Sequence, residues 1–172
     1  MKPSTAFAGV PLIARAEIQT PLGAMTAMAT SRGLAALLFD GDKYHPGPFD
    51  VPLDANNRHI RAARVWLDTY WAGRDPGLSS LTFDLHGSLF QRAVWQVLLA
   101  IPLGRTWTYG EVANKVGNGA VPRATGTAVG RNPVALIVPC HRVVGANGSL
   151  TGYASGLPRK ERLLQHEGIL LT

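Results

Sequence analysis

The sequence predicts an α+β protein in two parts, a small strand-and-helix domain followed by a mostly helical domain. Short apolar runs between turn signals occupy the first third of the chain, whereas apolar residues at helical spacing dominate the rest. The run Asp75-Pro76-Gly77 separates the two patterns and is typical of a boundary. With 172 residues, the chain can form one large core or two small ones. We therefore predict one domain at residues 1–80 and a second at residues 81–172.

Three strands and one helix are predicted in the first domain. The strands are expected at residues 12–20, 23–30 and 34–39, because apolar runs there alternate with turn signals such as Pro21-Leu22-Gly23. Residues 45–53 hold three prolines and are predicted to be a loop. Apolar residues recur at helical spacing over residues 55–72, which predicts a helix that stops at Gly73.

The second domain is predicted to contain at least four helices. Ser88 and Gln91 have the spacing of a capping box, and an apolar stripe follows them as far as Ile101. Short helices are expected at Tyr109–Val116 and from Pro122 onward, and the glycine-containing turn between them is compatible with a helix-turn-helix. The second of these is rich in small residues, which suits either close approach to a partner or tight core packing.

Two further strands and a last helix complete the second domain. The apolar run Val134–Val138 is predicted to be a buried strand that leads to Pro139 and Cys140, and Leu150–Tyr153 a second strand. The last helix is expected from Pro158 to Glu167, with Gly168 as its stop.

Positive charge is concentrated in the second domain. The net charge of the chain is +6; residues 81–172 carry nine Lys/Arg and four Asp/Glu, a net of +5, which leaves +1 for residues 1–80. A basic surface attracts polyanions, usually nucleic acid, although a merely solvated basic face is the alternative. No apolar run is long enough to span a bilayer, so we expect no membrane partner.

Cys140 is the only cysteine in the chain, which excludes an internal disulfide, a redox pair and a cysteine-based zinc site. It is therefore either a nucleophile or an inert buried thiol. His141 follows it directly, and basic surroundings of this kind lower a thiol pKa and supply a thiolate. A free cysteine fits a reducing compartment, so we expect a cytoplasmic location. The first domain has no cysteine, so a structural zinc there is unsupported, and we expect no metal or cofactor.

Several motifs of the second domain occur in a family-specific order. They are Thr108-Tyr109-Gly110-Glu111, Arg123-Ala124-Thr125-Gly126, Arg131-Asn132-Pro133-Val134, Pro139-Cys140-His141-Arg142-Val143-Val144, Gly152-Tyr153, and Lys160-Glu161 with Leu163-Leu164-Gln165-His166-Glu167-Gly168. Residues 83–172 thereby resemble the O6-alkylguanine-DNA alkyltransferases, also called methylated-DNA–protein-cysteine methyltransferases. The first 80 residues resemble the family only loosely, and there the resemblance implies a ribonuclease H-like domain.

The resemblance implies a direct displacement in which Cys140 takes the alkyl group from O6 of guanine. The resulting thioether is not a leaving group, so each molecule acts once. By matching position, His141 acts on the thiol through a water molecule, and Glu167 orients His141. Tyr109 would protonate the departing guanine at N3, and Asn132 would be the hinge between the DNA-binding helix and the active-site segment. Without the motif, a surface His-Glu hydrogen bond and an ordinary core tyrosine are the simpler interpretations.

The resemblance also implies that the damaged base leaves the duplex, with the recognition helix in the minor groove. Arg123 matches the arginine that fills the vacated position in the base stack, whereas a phosphate contact is the simpler role for a helix arginine. The implied partner is double-stranded DNA that contains O6-alkylguanine or O4-alkylthymine. The protein is expected to bind this DNA as a monomer. Cooperative binding along the DNA is also compatible with the resemblance. The implied DNA-binding residues are Arg123, Ala124, Thr125, Gly126, Thr127 and Tyr109. The implied substrate pocket contains Pro139, Tyr153, Ala154 and Ser155.

The sequence departs from the family pattern at two of these positions. Ser155 stands where the family often has glycine, which we expect to narrow the range of O6 groups accepted. Pro122 precedes Arg123 where a small residue is common, and we expect it to stiffen the start of the helix.

Two other functions compete with alkyl transfer. One is a non-catalytic protein that binds alkylated DNA, but such relatives typically replace the cysteine, so Cys140 argues against it. The other is a cysteine hydrolase using Cys140 and His141, for which no matching local signature is present. Transfer predicts a gain of one methyl group on Cys140 after exposure to methylated duplex DNA.

Overall fold

A computed structural model describes residues 7–45 and 50–169 of the chain. The chain divides between His86 and Gly87 into two compact units, a few residues beyond the boundary expected at residue 80. Among the described residues, no helix is both long enough and apolar enough to cross a membrane.

The first unit contains an antiparallel sheet in the order β1-β2-β3, formed by Ala14–Thr20, Gly23–Ala29 and Leu34–Phe39. Strand β1 pairs with β2 from Ala14↔Ala29 to Thr20↔Gly23. The Thr20 hydroxyl closes the tight turn between them by donating to the Gly23 carbonyl at 2.6 Å. All six residues of β3 are buried, as expected of an uninterrupted apolar run. The three strand predictions are therefore confirmed, with differences of one or two residues at their ends.

Helix α1, Arg58–Trp71, packs against this sheet with Ile60, Ala63 and Leu67 buried. It begins three residues after the predicted start at residue 55. The Asn57 side chain accepts from two backbone amides of the first turn, which defines the cap. Gly73 ends the helix region with a φ of 81°. The loop predicted at residues 45–53 lies in part outside the described residues, and the ribonuclease H-like topology stays a prediction.

Four helices dominate the second unit: α2, Leu89–Leu98; α3, Tyr109–Val116; α4, Pro122–Gly130; and α5, Leu157–His166. Ser88 and Gln91 form the predicted capping box of α2. Thr108 and Glu111 form a second one at α3. Helix α2 is tied to α4 because the buried Trp95 indole donates to the Ala128 carbonyl at 2.9 Å. Helices α3 and α4 follow one another across residues 117–121, and the helix-turn-helix with its use in DNA binding stays a prediction.

The strand predicted at Val134–Val138 is wrong, because this segment is a series of buried turns. Its backbone bonds are local: the Val138 amide donates to the Val134 carbonyl at 3.1 Å, and the Ile137 amide to the Ala135 carbonyl at 2.9 Å. Leu136 has a φ of 68°, which no strand residue adopts. Prolines on both sides of this apolar run limit strand pairing, which helps to explain why it turns instead of extending.

The strand predicted at Leu150–Tyr153 is also wrong. A short parallel pair forms elsewhere, between β4, Trp107–Thr108, and β5, Val143–Val144. The carbonyls of Thr151 and Gly152 accept from the Lys160 ammonium instead of from a strand. Gly152 has a φ of 44°, which bends the chain where a strand would continue.

Candidate active site

Cys140 begins a single 3₁₀ turn, Cys140–Arg142, directly after the buried segment 134–138. Its amide donates to the Val138 carbonyl at 2.8 Å, which fixes the backbone beneath the thiol. Cys140 is 7% exposed, and it is not in a disulfide. Pro139 is buried beside it. Cys140 is thus largely shielded from water.

His141 and Glu167 form a buried pair although 26 positions separate them in the sequence. The His141 Nε2 lies 2.5 Å from the Glu167 Oε2, and both side chains are fully buried. Glu167 reaches this position because it directly follows α5 as its carboxy-terminal cap. The other ring nitrogen of His141, Nδ1, is buried and has no hydrogen-bond partner among the described residues.

Arg142 holds the second oxygen of the Glu167 carboxylate. Its Nε donates to Oε1 at 2.6 Å, and its Nη1 donates to the Ile101 carbonyl at 2.7 Å. A buried carboxylate with a charged partner and two hydrogen bonds stays ionised. These contacts give Arg142 a structural role, because it anchors the carboxylate that contacts His141.

The electrostatics of this cluster favour a neutral imidazole beside an ionised carboxylate. Burial acts to raise the pKa of Glu167, but the hydrogen bonds and charges of His141 and Arg142 outweigh it and lower the pKa to about 2. Burial lowers the pKa of His141 from its usual value, and the positive charges of Arg142 and Lys160 act in the same direction. Because His141 is then uncharged at neutral pH, Arg142 is the lasting countercharge of Glu167.

Tyr109 is the first residue of α3, and its hydroxyl donates to the Thr151 carbonyl at 3.2 Å. Burial raises the pKa of Tyr109, and the nearby Cys140 acts in the same direction. The phenol is therefore protonated at neutral pH and able to donate. Gly126 of α4 lies beside the Tyr109 ring. A Cβ added at Gly126 would be 3.4 Å from the ring, which is van der Waals contact.

Lys160 belongs to this cluster, and the sequence prediction assigned it no role. It is fully buried, and its ammonium donates to the carbonyls of Val143, Thr151 and Gly152. Burial lowers the pKa of Lys160 to about 8, while the negative charge that Cys140 can carry opposes this change. A signal was present in the sequence: Lys160, Leu163, Leu164 and Glu167 have the i, i+3, i+4, i+7 spacing of one buried helix face.

Asn132 bridges the two ends of the turn segment before Cys140. Its Nδ2 donates to the Val138 carbonyl at 2.7 Å, and its Oδ1 accepts from the Val134 amide at 3.0 Å. Asn132 directly follows Arg131, the carboxy-terminal cap of α4. The predicted hinge residue therefore lies between α4 and the cysteine segment, and two buried hydrogen bonds join its side chain to that segment.

Three of the four predicted pocket residues, Tyr153, Ala154 and Ser155, lie in the segment between β5 and α5, whereas Pro139 directly precedes Cys140. Tyr153 and Ala154 are half-buried, whereas Ser155 is buried and its carbonyl accepts from Arg159 Nη1 at 3.1 Å. The assignment of these three residues to a substrate pocket stays a prediction.

The predicted DNA-binding residues at the start of α4 divide into two groups. Arg123, Ala124 and Thr127 are exposed, and the Thr127 hydroxyl donates to the Arg123 carbonyl at 3.3 Å. Thr125 is fully buried on the same helix face as Ala128 and Val129. The Thr125 side chain therefore packs inside the unit, and the assignment of Thr125 to the DNA-binding residues stays a prediction.

A shallow cleft of about 430 Å³ lies between the starts of α3 and α4. Tyr109, Arg123 and Gly126 line it, together with Ala146 of the loop after β5. Two candidate DNA-binding residues, Arg123 and Gly126, therefore share one cleft with the candidate proton donor Tyr109.

Comparison with known proteins shows which family has this arrangement. Residues 89–169 match the family described as 6-O-methylguanine DNA methyltransferase, DNA binding domain. The methylated-DNA–protein-cysteine methyltransferase of Methanosarcina acetivorans is 44% identical over 154 residues, covering 87% of this chain and 95% of that relative. The chain belongs to the methylated-DNA–protein-cysteine methyltransferase family. Its activity is therefore the repair of alkylated DNA by transfer of the alkyl group to a protein cysteine.

Solved structures of the family share the fold over nearly the whole chain. The Mycobacterium tuberculosis OGT in complex with DNA superposes with a TM-score of 0.80 and 38% identity, covering 91% of this chain and 93% of that one. The O6-methylguanine DNA methyltransferase of Methanococcus jannaschii gives a TM-score of 0.66 and 29% identity, covering 91% and 95%. The likeness includes the sheet-containing first unit, which the family model leaves unmatched.

Proposed function

We propose that Cys140 is the acceptor and that it takes the alkyl group from O6 of guanine in double-stranded DNA. The observation that carries this proposal is the position of the only cysteine of the chain, directly before the buried His141–Glu167 pair. Each molecule then acts once, because the thioether product has no easily displaced group.

Deprotonation of the thiol would run through His141. Its Nδ1 is buried without a hydrogen-bond partner among the described residues, while Nε2 is engaged with Glu167. A water molecule between the Cys140 thiol and Nδ1 would pass the thiol proton to the neutral imidazole, since a thiolate is the reactive form. Glu167, held by Arg142, would stabilise the imidazolium that results.

In the transfer step, the Cys140 sulfur attacks the alkyl carbon, an S–C bond forms, and the C–O6 bond breaks. The electron pair of that bond remains with guanine, which leaves more readily if it gains a proton. Tyr109 would donate this proton to N3, and its raised pKa keeps the phenol protonated until then.

DNA would be bound by α3 and α4 acting as a helix-turn-helix. The net charge of +5 in residues 81–172 favours phosphate contacts, and the M. tuberculosis relative is solved in complex with DNA. We infer that the target base is turned out of the duplex and that the exposed Arg123 fills its place. The small residues Ala124 and Gly126 would let the backbone of α4 come close to the groove.

The proposal extends to the range of substrates and the state of the protein. O4-alkylthymine presents a similar alkyl–oxygen bond and is a second candidate substrate. Ser155 would narrow the range of bulky alkyl groups accepted. The protein would act as a cytoplasmic monomer that needs no cofactor, and cooperative binding along DNA is compatible with a basic second unit.

A mass measurement tests the role of Cys140. After incubation with duplex DNA that contains O6-methylguanine, the wild-type protein should gain one methyl group, which peptide mapping should place on Cys140. The Cys140→Ser variant should keep its fold and DNA affinity but gain no mass, because a hydroxyl is far less acidic than a thiol. Methyl transfer by the serine variant would refute the assignment, and tight binding by the wild type with unchanged mass would favour a damage-binding protein.

A further inference from the structure

Positive charge in the first unit is concentrated on a single helix. Helix α1 carries three arginines, Arg58, Arg61 and Arg64, and one acidic residue, Asp68, which gives it a net charge of +2 with histidine neutral. Residues 1–80 together carry only +1, so the rest of this part of the chain is slightly acidic. The nearly balanced total charge of the first unit therefore hides a local basic surface.

The three arginines lie together on the solvent side of α1. The opposite face of the helix is buried and packs against the sheet. Arg58 and Arg61 are exposed, and Arg64 is half-buried at the edge of the solvent side. Residues three positions apart are neighbours on a helix surface, so the three side chains form one continuous group. We call Arg58, Arg61 and Arg64 the α1 arginine face.

The guanidinium groups of this face have no partner within residues 7–45 and 50–169. None of the three side chains forms an ion pair or a hydrogen bond there. Asp68 follows Arg64 by about one helical turn, but the two residues form no ion pair. The charges and the N–H donors of the α1 arginine face are therefore available to a bound partner.

The position of these arginines is unfavourable for the helix itself. Arg58 is the first residue of α1 and Arg61 the fourth, and the first turn contains no acidic residue. The amino-terminal end of a helix carries a partial positive charge, so cations placed there destabilise it. Arg74, by contrast, follows the carboxy-terminal end of α1, where a positive charge is favourable. A departure from the local rule without a compensating contact is typical of a binding surface.

We propose that the α1 arginine face is a second DNA-binding surface, at which Arg58, Arg61 and Arg64 contact the phosphates of duplex DNA. Guanidinium groups bind phosphate oxygens through paired N–H donors. The three residues span about 9 Å of the helix axis, and a duplex presents about five phosphates over that length of its own axis. DNA is the polyanion that fits, because the family repairs DNA and a solved relative is bound to it.

This surface adds contacts of the first unit to those proposed for α3 and α4. Such contacts act at short range, within about 10 Å at moderate salt, so they do not require a large net charge on the unit. They also carry no sequence information. The α1 arginine face would therefore hold the protein on undamaged DNA as well as on damaged DNA.

Two full-length variants with equal loss of charge test the proposal. The test variant combines Arg58→Gln, Arg61→Gln and Arg64→Gln. The control variant combines Arg32→Gln, Lys43→Gln and Arg74→Gln. All three control positions are exposed and belong to the same unit, so the two proteins differ only in where the charge is lost. Binding to unmodified duplex DNA is measured by fluorescence anisotropy at several salt concentrations, so that no alkyl transfer interferes.

We expect the test variant to show a weaker dependence of affinity on salt than the wild type. Each phosphate contact contributes about 0.9 to the slope of log affinity against log salt, so the slope should fall by about 2 to 3. At about 50 mM salt, binding should be about tenfold weaker. The control variant should keep the slope of the wild type. A test variant with an unchanged slope, or equal losses in both variants, would overturn the proposal.

Stability and NMR measurements separate binding from folding. The melting temperature of the test variant should equal or exceed that of the wild type, because unfavourable charges leave the start of the helix. A lowered melting temperature would show that the arginines serve the fold and would refute the binding role. In the wild type, the Nε–H signals of Arg58, Arg61 and Arg64 should shift when unmodified duplex is added, and unchanged signals would also refute it.

The outcome for the α1 arginine face is distinguishable from the outcome for Cys140. If methylated duplex DNA never adds a methyl group to Cys140 of the wild type, the proposed function fails, whereas a lower salt slope in the test variant alone still establishes the second surface. If the methyl group is found on Cys140 and both variants bind DNA as the wild type does, the second surface is refuted and the proposed function stands.

Discussion

Glu167 is the residue on which the geometry of the site depends. Its carboxylate accepts from His141 on one oxygen and from Arg142 on the other, and its side chain is fully buried. A buried charge is tolerated only when it is paired and hydrogen-bonded. Removing it would leave the Arg142 guanidinium without its countercharge and the His141 ring without its orienting partner. Glu167 therefore supports both the fold of the second unit and the chemistry of the cysteine.

The pKa of Glu167 predicts how the protein responds to acid. Because the folded pKa is about 2, well below its usual value, the ionised carboxylate stabilises the fold above pH about 4.5. This contribution, on the order of 3 kcal/mol, is lost as the pH falls from about 4.5 to 2, since the unfolded chain then binds the proton first. The lowered pKa of His141 acts in the same direction below its usual pKa. Urea unfolding between pH 7 and 3 measures the loss.

Glu167→Gln supplies the comparison for the acid titration. It should be less stable than the wild type at pH 7 and should lose much less stability between pH 4.5 and 3. Parallel stability curves for the two proteins over this range would show that Glu167 is not the group responsible.

Arg123 is exposed at the start of α4, and its proposed role is to act on DNA. We expect Arg123→Ala to slow repair of O6-methylguanine in duplex DNA strongly while reaction with the free modified base changes little. Turning a base out of a duplex costs on the order of a few kcal/mol, and a side chain inserted into the stack offsets part of this cost. Rates on both substrates, with the exposed Arg105→Ala as a charge-matched control, provide the measurement. Equal losses on both substrates would instead indicate a role in the pocket or in folding.

The sequence predicted some site residues and missed others for physical reasons. Cys140, His141 and Glu167 were predicted because their motifs are specific, and the structure brings His141 and Glu167 into contact. Lys160 stood in one of the family motifs but received no role, because its partners are backbone carbonyls and the motif does not show which groups it contacts. Thr125 was assigned to DNA because it belongs to the motif of the implied recognition helix, and a motif does not show that its side chain lies on the buried helix face.

Among the elements, helices were predicted more accurately than strands. The capping boxes at Ser88 and Thr108 are local signals, each completed within three residues, so the starts of α2 and α3 follow from sequence. An apolar run such as 134–138 is locally ambiguous, and its turns depend on bonds from Asn132. The segment 150–153 depends in the same way on Lys160.

Asn132 offers a test of how much one side chain stabilises the cysteine segment. In Asn132→Ala the buried Val134 amide loses its acceptor, whereas the Val138 carbonyl still accepts from the Cys140 amide. An unsatisfied buried donor costs about 1–3 kcal/mol, so we expect a loss of stability in this range and slower methyl transfer. Urea unfolding and single-turnover repair of methylated duplex DNA measure the two effects.

Asn147→Ala is the matched control for Asn132. Asn147 also accepts from the amide two residues ahead at 3.0 Å, but this turn is exposed, so water can replace the bond. Its loss of stability should be well below that of Asn132→Ala. If both variants lose the same stability, burial of the Asn132 turn is not what makes it important.

On the scale of the whole molecule, charge and family likeness are distributed differently. The family model covers residues 89–169, and the net charge of +5 lies in residues 81–172, whereas residues 1–80 carry +1. Solved relatives nevertheless match about nine-tenths of the chain, so the first unit belongs to the shared fold. Because its charges nearly balance, the first unit contributes little to long-range attraction of DNA, and the second unit supplies most of it.

Methylation of Cys140 should destabilise the whole protein. Cys140 is 7% exposed, and its neighbours Val138 and His141 are fully buried, so a new methyl group enters a closely packed site. Overpacking typically costs about 1–3 kcal/mol. For a chain of this size, each kcal/mol corresponds to roughly 2–4 °C in melting temperature. Thermal unfolding of the methylated and unreacted proteins without DNA measures the difference.

The destabilisation should extend toward the DNA-binding helix, because Asn132 bonds to both ends of the segment before Cys140 and follows α4 almost directly. Amide hydrogen exchange should therefore rise in residues 132–140 and in α4 after methylation, but not in α1 of the first unit. Such loosening would help the spent protein leave repaired DNA. Cys140→Ser, treated with the same methylated DNA, controls for effects of the treatment itself. A melting temperature that stays constant or rises on methylation would contradict this link between the chemistry at the sulfur and the stability of the fold.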